Sequence, residues 1–184
     1  MCGIAGFVDQ AVGSGDAQAL LRDMADAIAH RGPDQDGVWH DPAAGVGLAH
    51  RRLSVLDLTD AGRQPMVSTS GRFVIVFNGE IYNHGEIRAE LLAHDPTLAF
   101  RGHSDTEDML AAFEAWGVES TLSRLNGMFA FALYDRSERQ LHLARDRLGG
   151  KPLYFGRGGA GGVFWSRIQS PRPPPPLGGR IRRA

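Results

Sequence analysis

A chain of 184 residues, 42% hydrophobic and 22% charged, is long enough for one domain with a full core and has the make-up of an ordinary soluble globular protein. Its net charge of −1 conceals an asymmetry: all 21 acids but only 15 of the 20 basic residues precede Arg167, and an acidic body with scattered arginines argues against a nucleic-acid partner. No apolar run nears the ~18 residues of a membrane helix, the N-terminus lacks the pattern of a signal peptide, and a single cysteine makes the cytoplasm the default location.

Ile4 to Val8 is a short apolar run closed by Asp9, which predicts a buried strand. Leu20, Leu21, Met24, Ala25 and Ile28 fall at helical spacing, so a helix is expected near 17–29 with Asp16 as its N-cap. His30-Arg31-Gly32-Pro33-Asp34 ends it, because the residue before a proline leaves the helical region. Val46 to His50, Leu53 to Asp57 and above all Phe73 to Phe77 read as strands. Helices are expected near 84–93 and from the capping box Ser104-Asp105-Thr106-Glu107. Met128 to Asp135 and Gln140 to Arg145 alternate like a hairpin, and Leu153 to Phe155 and Val163 to Trp165 add strands. The pattern is α+β. The seven histidines never recur at i, i+4 and there is no Cys-x-x-Cys, so a metal site is not expected.

Cys2 follows the initiator methionine, and removal of Met1 is favoured by a small second side chain. Removal would leave a thiol and a free α-amine on one residue. That amine has an ordinary pKa of ~7.7–8.0, suited to taking the thiol proton and returning it to a leaving amine. Taken alone, Asn78-Gly79 reads as a hairpin turn, Arg52 and Glu80 as surface ion-pair partners, and Asp105 as a first-turn helix acid.

Six segments occur in one order: Met1 to Gly6, His30 to Asp34, His50-Arg51-Arg52-Leu53-Ser54, Phe77-Asn78-Gly79-Glu80-Ile81-Tyr82-Asn83, Ser104 to Glu107, and Ala144 to Gly149. Together they closely resemble the N-terminal glutaminase domain of the glutamine-hydrolysing asparagine synthetases, class II glutamine amidotransferases of the N-terminal-nucleophile hydrolase type. The resemblance runs from Met1 to about Trp165. It implies a four-layer αββα sandwich with Cys2 at an edge of the central sheets. It implies that Cys2 attacks the side-chain amide of L-glutamine, that the Asn78 side chain and the Gly79 N–H hold the oxyanion, and that no cofactor takes part in this step. It further implies that Arg52, rather than Arg51, grips the substrate α-carboxylate. Leu53, Ser54, Val55 and Leu56 would line the pocket, and Glu80 and Asp105 would receive the α-ammonium. The stretch from Ala144 to Tyr154 resembles a segment near the interface with a second domain. Gly150 stands where the family has a bulky aliphatic residue, and an interface or structural role is expected for Lys151, the only lysine.

In the resembled enzymes a C-terminal synthetase domain uses ATP, with Mg2+, to activate aspartate for attack by ammonia. This chain ends ahead of any such domain, so a separate synthetase subunit would be the partner. Residues 1–166 form the expected amidotransferase domain and 167–184 a Pro/Arg/Gly-rich tail. That tail is expected to be polyproline-like or disordered rather than an SH3-type ligand, and its abrupt composition suggests out-of-frame translation. Two readings follow: an active glutaminase domain, or a non-catalytic remnant that binds glutamine or a partner.

Overall fold

Alternation along the strands builds the layers. The computed structural model describes residues 1–54, 59–158, 161–166 and 181–183. One sheet has the order β10-β8-β9-β1-β3-β2, made of β1 (Gly3–Val8), β2 (Gln35–Asp41), β3 (Val46–Arg52), β8 (Tyr154–Gly158), β9 (Gly161–Trp165) and β10 (Ile181–Arg183). The other has the order β4-β5-β6-β7, made of β4 (Met66–Val67), β5 (Phe73–Ile81), β6 (Gly127–Asp135) and β7 (Gln140–Arg145). The pairings within both sheets are antiparallel.

Because successive side chains in a strand face opposite ways, each sheet presents two apolar faces. Ile4, Val46, Leu48, Val74, Val76, Ala130, Ala132 and Tyr134 pack between the sheets. Ala5, Phe7 and Ala49 meet Leu21, Ala25 and Ile28 of helix α1 (Ser14–Ala27). On the far side Phe73, Ile75, Phe77, Phe129, Phe131 and Leu133 meet helices α2 (His84–His94) and α3 (Asp105–Trp116). Three apolar interfaces separate four layers, helix–sheet–sheet–helix, the expected αββα sandwich.

Several boundaries differ from the sequence reading. Helix α1 begins at Ser14 behind Gly13, and Asp16 lies in its first turn, where an acid favours the helix dipole without capping it. Strand β3 stops at Arg52, and of the strand expected over 53–57 only Leu53 and Ser54 are described, neither in a strand. β2 and the short helix α4 (Val118–Arg124) have no expected counterpart: β2 is a partly exposed edge whose apolar residues scarcely alternate. Ser104 caps α3 by accepting the Glu107 N–H (3.3 Å). The reciprocal half of the capping box is absent, because the Glu107 carboxylate takes the N–H groups of Arg101 (2.8 Å) and Gly102 (2.9 Å). The tail expected to be unstructured lies outside the described residues except for 181–183, which pair with β8. No helix among the described residues is long and apolar enough to cross a membrane.

Candidate active site

The two-residue period of the inner strands decides what meets at the rim of the sandwich. On β3, Val46 and Leu48 face the second sheet, and His50 and Arg52 continue that row. Arg51 faces the other way, and its guanidinium bonds the Ala25 carbonyl (3.1 Å) and the Asp26 carboxylate of α1. Arg52 therefore enters the cavity and Arg51 does not. Arg52 is 6% exposed, too buried for a surface ion pair. Its Nη1 donates to Gln35 Oε1 (2.7 Å) and the Thr59 carbonyl (2.8 Å), which aim the guanidinium.

Cys2, Arg52, Leu53, Asn78, Gly79, Glu80 and Asp105 all line one cavity of about 180 Å³, well below the ~300–1,000 Å³ of pockets for drug-sized ligands and suited to a single amino acid. The Cys2 thiol sits against the Leu53 backbone, whose N–H donates to Sγ (3.4 Å) and whose carbonyl accepts from it (3.6 Å). Ser54 is placed beside this pair by its N–H bond to the Asp34 carboxylate (2.7 Å), although it does not itself line the cavity. Val55 and Leu56 lie outside the described residues. A Cβ at Gly32 would stand 2.4 Å from the Arg51 carbonyl, so glycine is what lets the His30–Asp34 turn press against the end of β3.

Asn78 and Gly79 do not form a hairpin turn. They lie inside β5, opposite Ala130 and Phe129 of β6, because a nine-residue antiparallel register outweighs the turn preference of the dipeptide. The Phe77 N–H is taken by Gln64 Oε1 (2.6 Å) and the Ile81 N–H by Asp105 Oδ2 (2.9 Å). Strand alternation puts the Gly79 N–H between them on the same side, toward the cavity. A Cβ at Gly79 would meet the Met128 carbonyl at 2.4 Å and the Phe129 Cα at 2.6 Å. Asn78 is 1% exposed and its Nδ2 has no hydrogen-bond partner among the described residues. An orphaned buried donor costs about 1–3 kcal/mol; here it opens on a cavity where an acceptor can bind.

Asp105 is at once the first residue of α3 and a wall of the cavity. Burial pushes its carboxyl upward from the ordinary range, against the N–H of Ile81 and the nearby His84. Among the described residues no group of three or more His, Cys, Asp or Glu is placed to share a metal ion.

Residues 1–173 match the glutamine amidotransferase domain. The chain belongs to that family. It is 37% identical over its whole length to asparagine synthetase [glutamine-hydrolyzing] 3 of Bacillus subtilis, spanning 29% of that protein. It is 39% identical to asparagine synthetase B [glutamine-hydrolyzing] of Escherichia coli, with 85% of this chain covering 27% of that protein. The chain thus spans less than a third of these relatives. Among solved structures, the glutamine phosphoribosylpyrophosphate amidotransferase of B. subtilis superposes with a TM-score of 0.72, over 98% of this chain and 44% of that one. At 18% identity that likeness shows the fold, which is the N-terminal-nucleophile hydrolase sandwich.

Three residues that shape the candidate site were given no part in it by the sequence reading. Gln64 carried no signal, since it works through distant partners, the Phe77 N–H and Thr106 Oγ1 (3.3 Å). Lys151, assigned on sequence to an interface or structural role, is buried and lines the cavity. His50 was legible only through its place in the row Val46, Leu48, His50, Arg52. Its Nε2 donates to the Phe77 carbonyl (3.0 Å), tying one sheet to the other immediately before Asn78.

That contact makes a pH prediction. Burial, with the Arg52 charge adding to it, lowers the His50 pKa to about 4 against the pull of the Phe77 carbonyl. The folded value lies below the ordinary ~6.5, so the unfolded chain binds the proton more readily. Stability present above pH 6.5 is therefore lost as pH falls from 6.5 to 4, by on the order of 3 kcal/mol. Urea unfolding at pH 7.5, 5.5 and 4 should show the decline, and His50→Gln should flatten it. A slope unchanged by that substitution would remove His50 as its cause.

Proposed function

We propose that this domain, once Met1 is removed, hydrolyses L-glutamine to glutamate and ammonia with Cys2 as nucleophile. The observation that carries the reading is a thiol held by the Leu53 backbone in the same small cavity as Asn78 Nδ2, which has no hydrogen-bond partner among the described residues. The Cys2 sulfur attacks the side-chain amide carbon, and its proton passes to the residue's own α-amine. The new oxyanion is met by Asn78 Nδ2 and the Gly79 N–H. Collapse breaks the C–N bond, the α-ammonium returns its proton to the departing ammonia, and a thioester remains. Water, deprotonated by the same amine, releases glutamate. Arg52 grips the substrate α-carboxylate with a planar fork, and Glu80 and Asp105 face its α-ammonium, with Leu53 lining the same cavity. None of these roles needs a cofactor.

The relatives named for glutamine-dependent asparagine synthesis support a wider role, supply of ammonia to a synthetase domain or subunit that uses ATP, Mg2+ and aspartate. A nucleophilic thiol that must stay reduced suits the cytoplasm.

The test uses the purified chain, with Met1 loss verified by intact mass. Glutamine should yield ammonia, and glutamine with hydroxylamine should yield γ-glutamyl hydroxamate, the product of trapping an acyl-enzyme. Neither product from the Met1-free chain would overturn the proposal in favour of a glutamine- or partner-binding remnant.

A further inference from the structure

The mechanism above leaves one buried cation unused. Lys151 is 4% exposed and lines the cavity with Cys2, Glu80 and Met128. Its backbone is pinned: the Asp146 carboxylate accepts the N–H groups of Gly150 (2.7 Å), Lys151 (2.9 Å) and Phe129 (3.2 Å). A Cβ at Gly150 would meet only ordinary contacts with Asp146 (3.5 Å) and Met128 (3.6 Å), so this anchorage does not depend on the departure there from the family pattern. The side chain reaches the start of the chain, where Nζ donates to Met1 Sδ (2.8 Å). A thioether is a weak acceptor, and Lys151 makes no ion pair among the described residues.

A buried ammonium without a fixed counter-ion is costly unless an anion arrives. Loss of Met1 takes the thioether away and leaves the cation near the new terminal residue, whose thiolate joins the Asp146 and Glu80 carboxylates as an anion acting on it. We propose that Lys151 is a positioning residue for the nucleophile, its ammonium favouring thiolate over thiol at Cys2 in the chain that has lost Met1. The same charge favours the neutral over the protonated α-amine, and both effects act in the direction the chemistry needs.

Burial lowers the Lys151 pKa first, and the Arg31 guanidinium, which bonds the Cys2 carbonyl (3.4 Å), lowers it further. Asp146, the Cys2 thiol and Glu80 act against them. Arg52 and Asp105 complete the charged lining of the cavity.

The proposal rests on Cys2 being the nucleophile, and its test separates the two. Cys2 is the only cysteine, so the rate of iodoacetamide alkylation of the Met1-free chain, followed by mass against pH, reports this thiol alone. Lys151→Met should move the alkylation midpoint up by about one pH unit, with the same displacement of the acid limb of kcat/KM, and Lys151→Arg should restore both. Should Lys151→Met not fold, Lys151→Gln makes the same comparison with a polar head. An unmoved midpoint in a folded, uncharged variant, or no restoration by Arg, overturns the proposal. If instead Cys2→Ala releases ammonia at the parent rate, the nucleophile reading fails, while the alkylation midpoints still report on Lys151.

Discussion

Cys2→Ala should lower kcat for glutamine hydrolysis by on the order of 10⁶-fold, leaving only what binding and oxyanion donors give to direct attack by water. The loss is large because the thiol starts the covalent route and no other lining residue carries a thiol. Asn78, Arg52 and Gly79 are donors, and Glu80 and Asp105 are weak nucleophiles. The fold should scarcely notice. The sulfur makes two long contacts with Leu53, at 3.4 and 3.6 Å, and alanine at the second position still permits removal of Met1. Ammonia release with thermal unfolding on the same preparations checks both halves: equal rates would sink the mechanism, and a collapsed melting point would leave the alkylation and hydroxamate assays to decide it.

Asn78→Ala should cost about 10²–10³-fold in kcat, the usual effect of removing one oxyanion donor, or roughly 2.7–4 kcal/mol of transition-state stabilisation. KM should change little, since the oxyanion exists only after attack. Its signature is the opposite response of stability. Asn78 Nδ2 is buried without a partner among the described residues, so deleting it relieves an unsatisfied donor, and the variant should melt no earlier than the parent. A residue retained for packing would behave the other way, losing stability while keeping turnover. Steady-state kinetics beside a thermal melt distinguish the two.

The site was more legible in the sequence than the elements that carry it. Cys2, Arg52, Asn78, Glu80 and Asp105 come from short segments whose order survives in the chain, and the structure gathers them round one cavity. The choice of Arg52 over Arg51 could have been made from alternation alone, since Val46 and Leu48 set the inward parity of β3. The hairpin alternative at Asn78-Gly79 failed for a physical reason: turn preference is local, whereas β5 is held by a register of nine pairs with residues about 50 positions away. Gln64 was hidden for the same cause, a side chain acting across 13 residues on one backbone N–H. β2 and α4 were missed because neither shows a clean period, β2 at an edge and α4 over only seven residues.

β1 is an interior strand, flanked by β9 and β3, so the segment directly after Cys2 is held in register from Gly3 onward instead of lying along a frayed edge. Met1 is 54% exposed and lines the cavity beside Cys2, so whatever stays attached ahead of Cys2 shares the space where glutamine would have to bind. On the proposed mechanism the first residue is a stopper: until an aminopeptidase trims it, Cys2 lacks the free α-amine that would serve as its base. An affinity handle at the N-terminus would be a permanent stopper, so a preparation meant for kinetics should carry its handle at the other end.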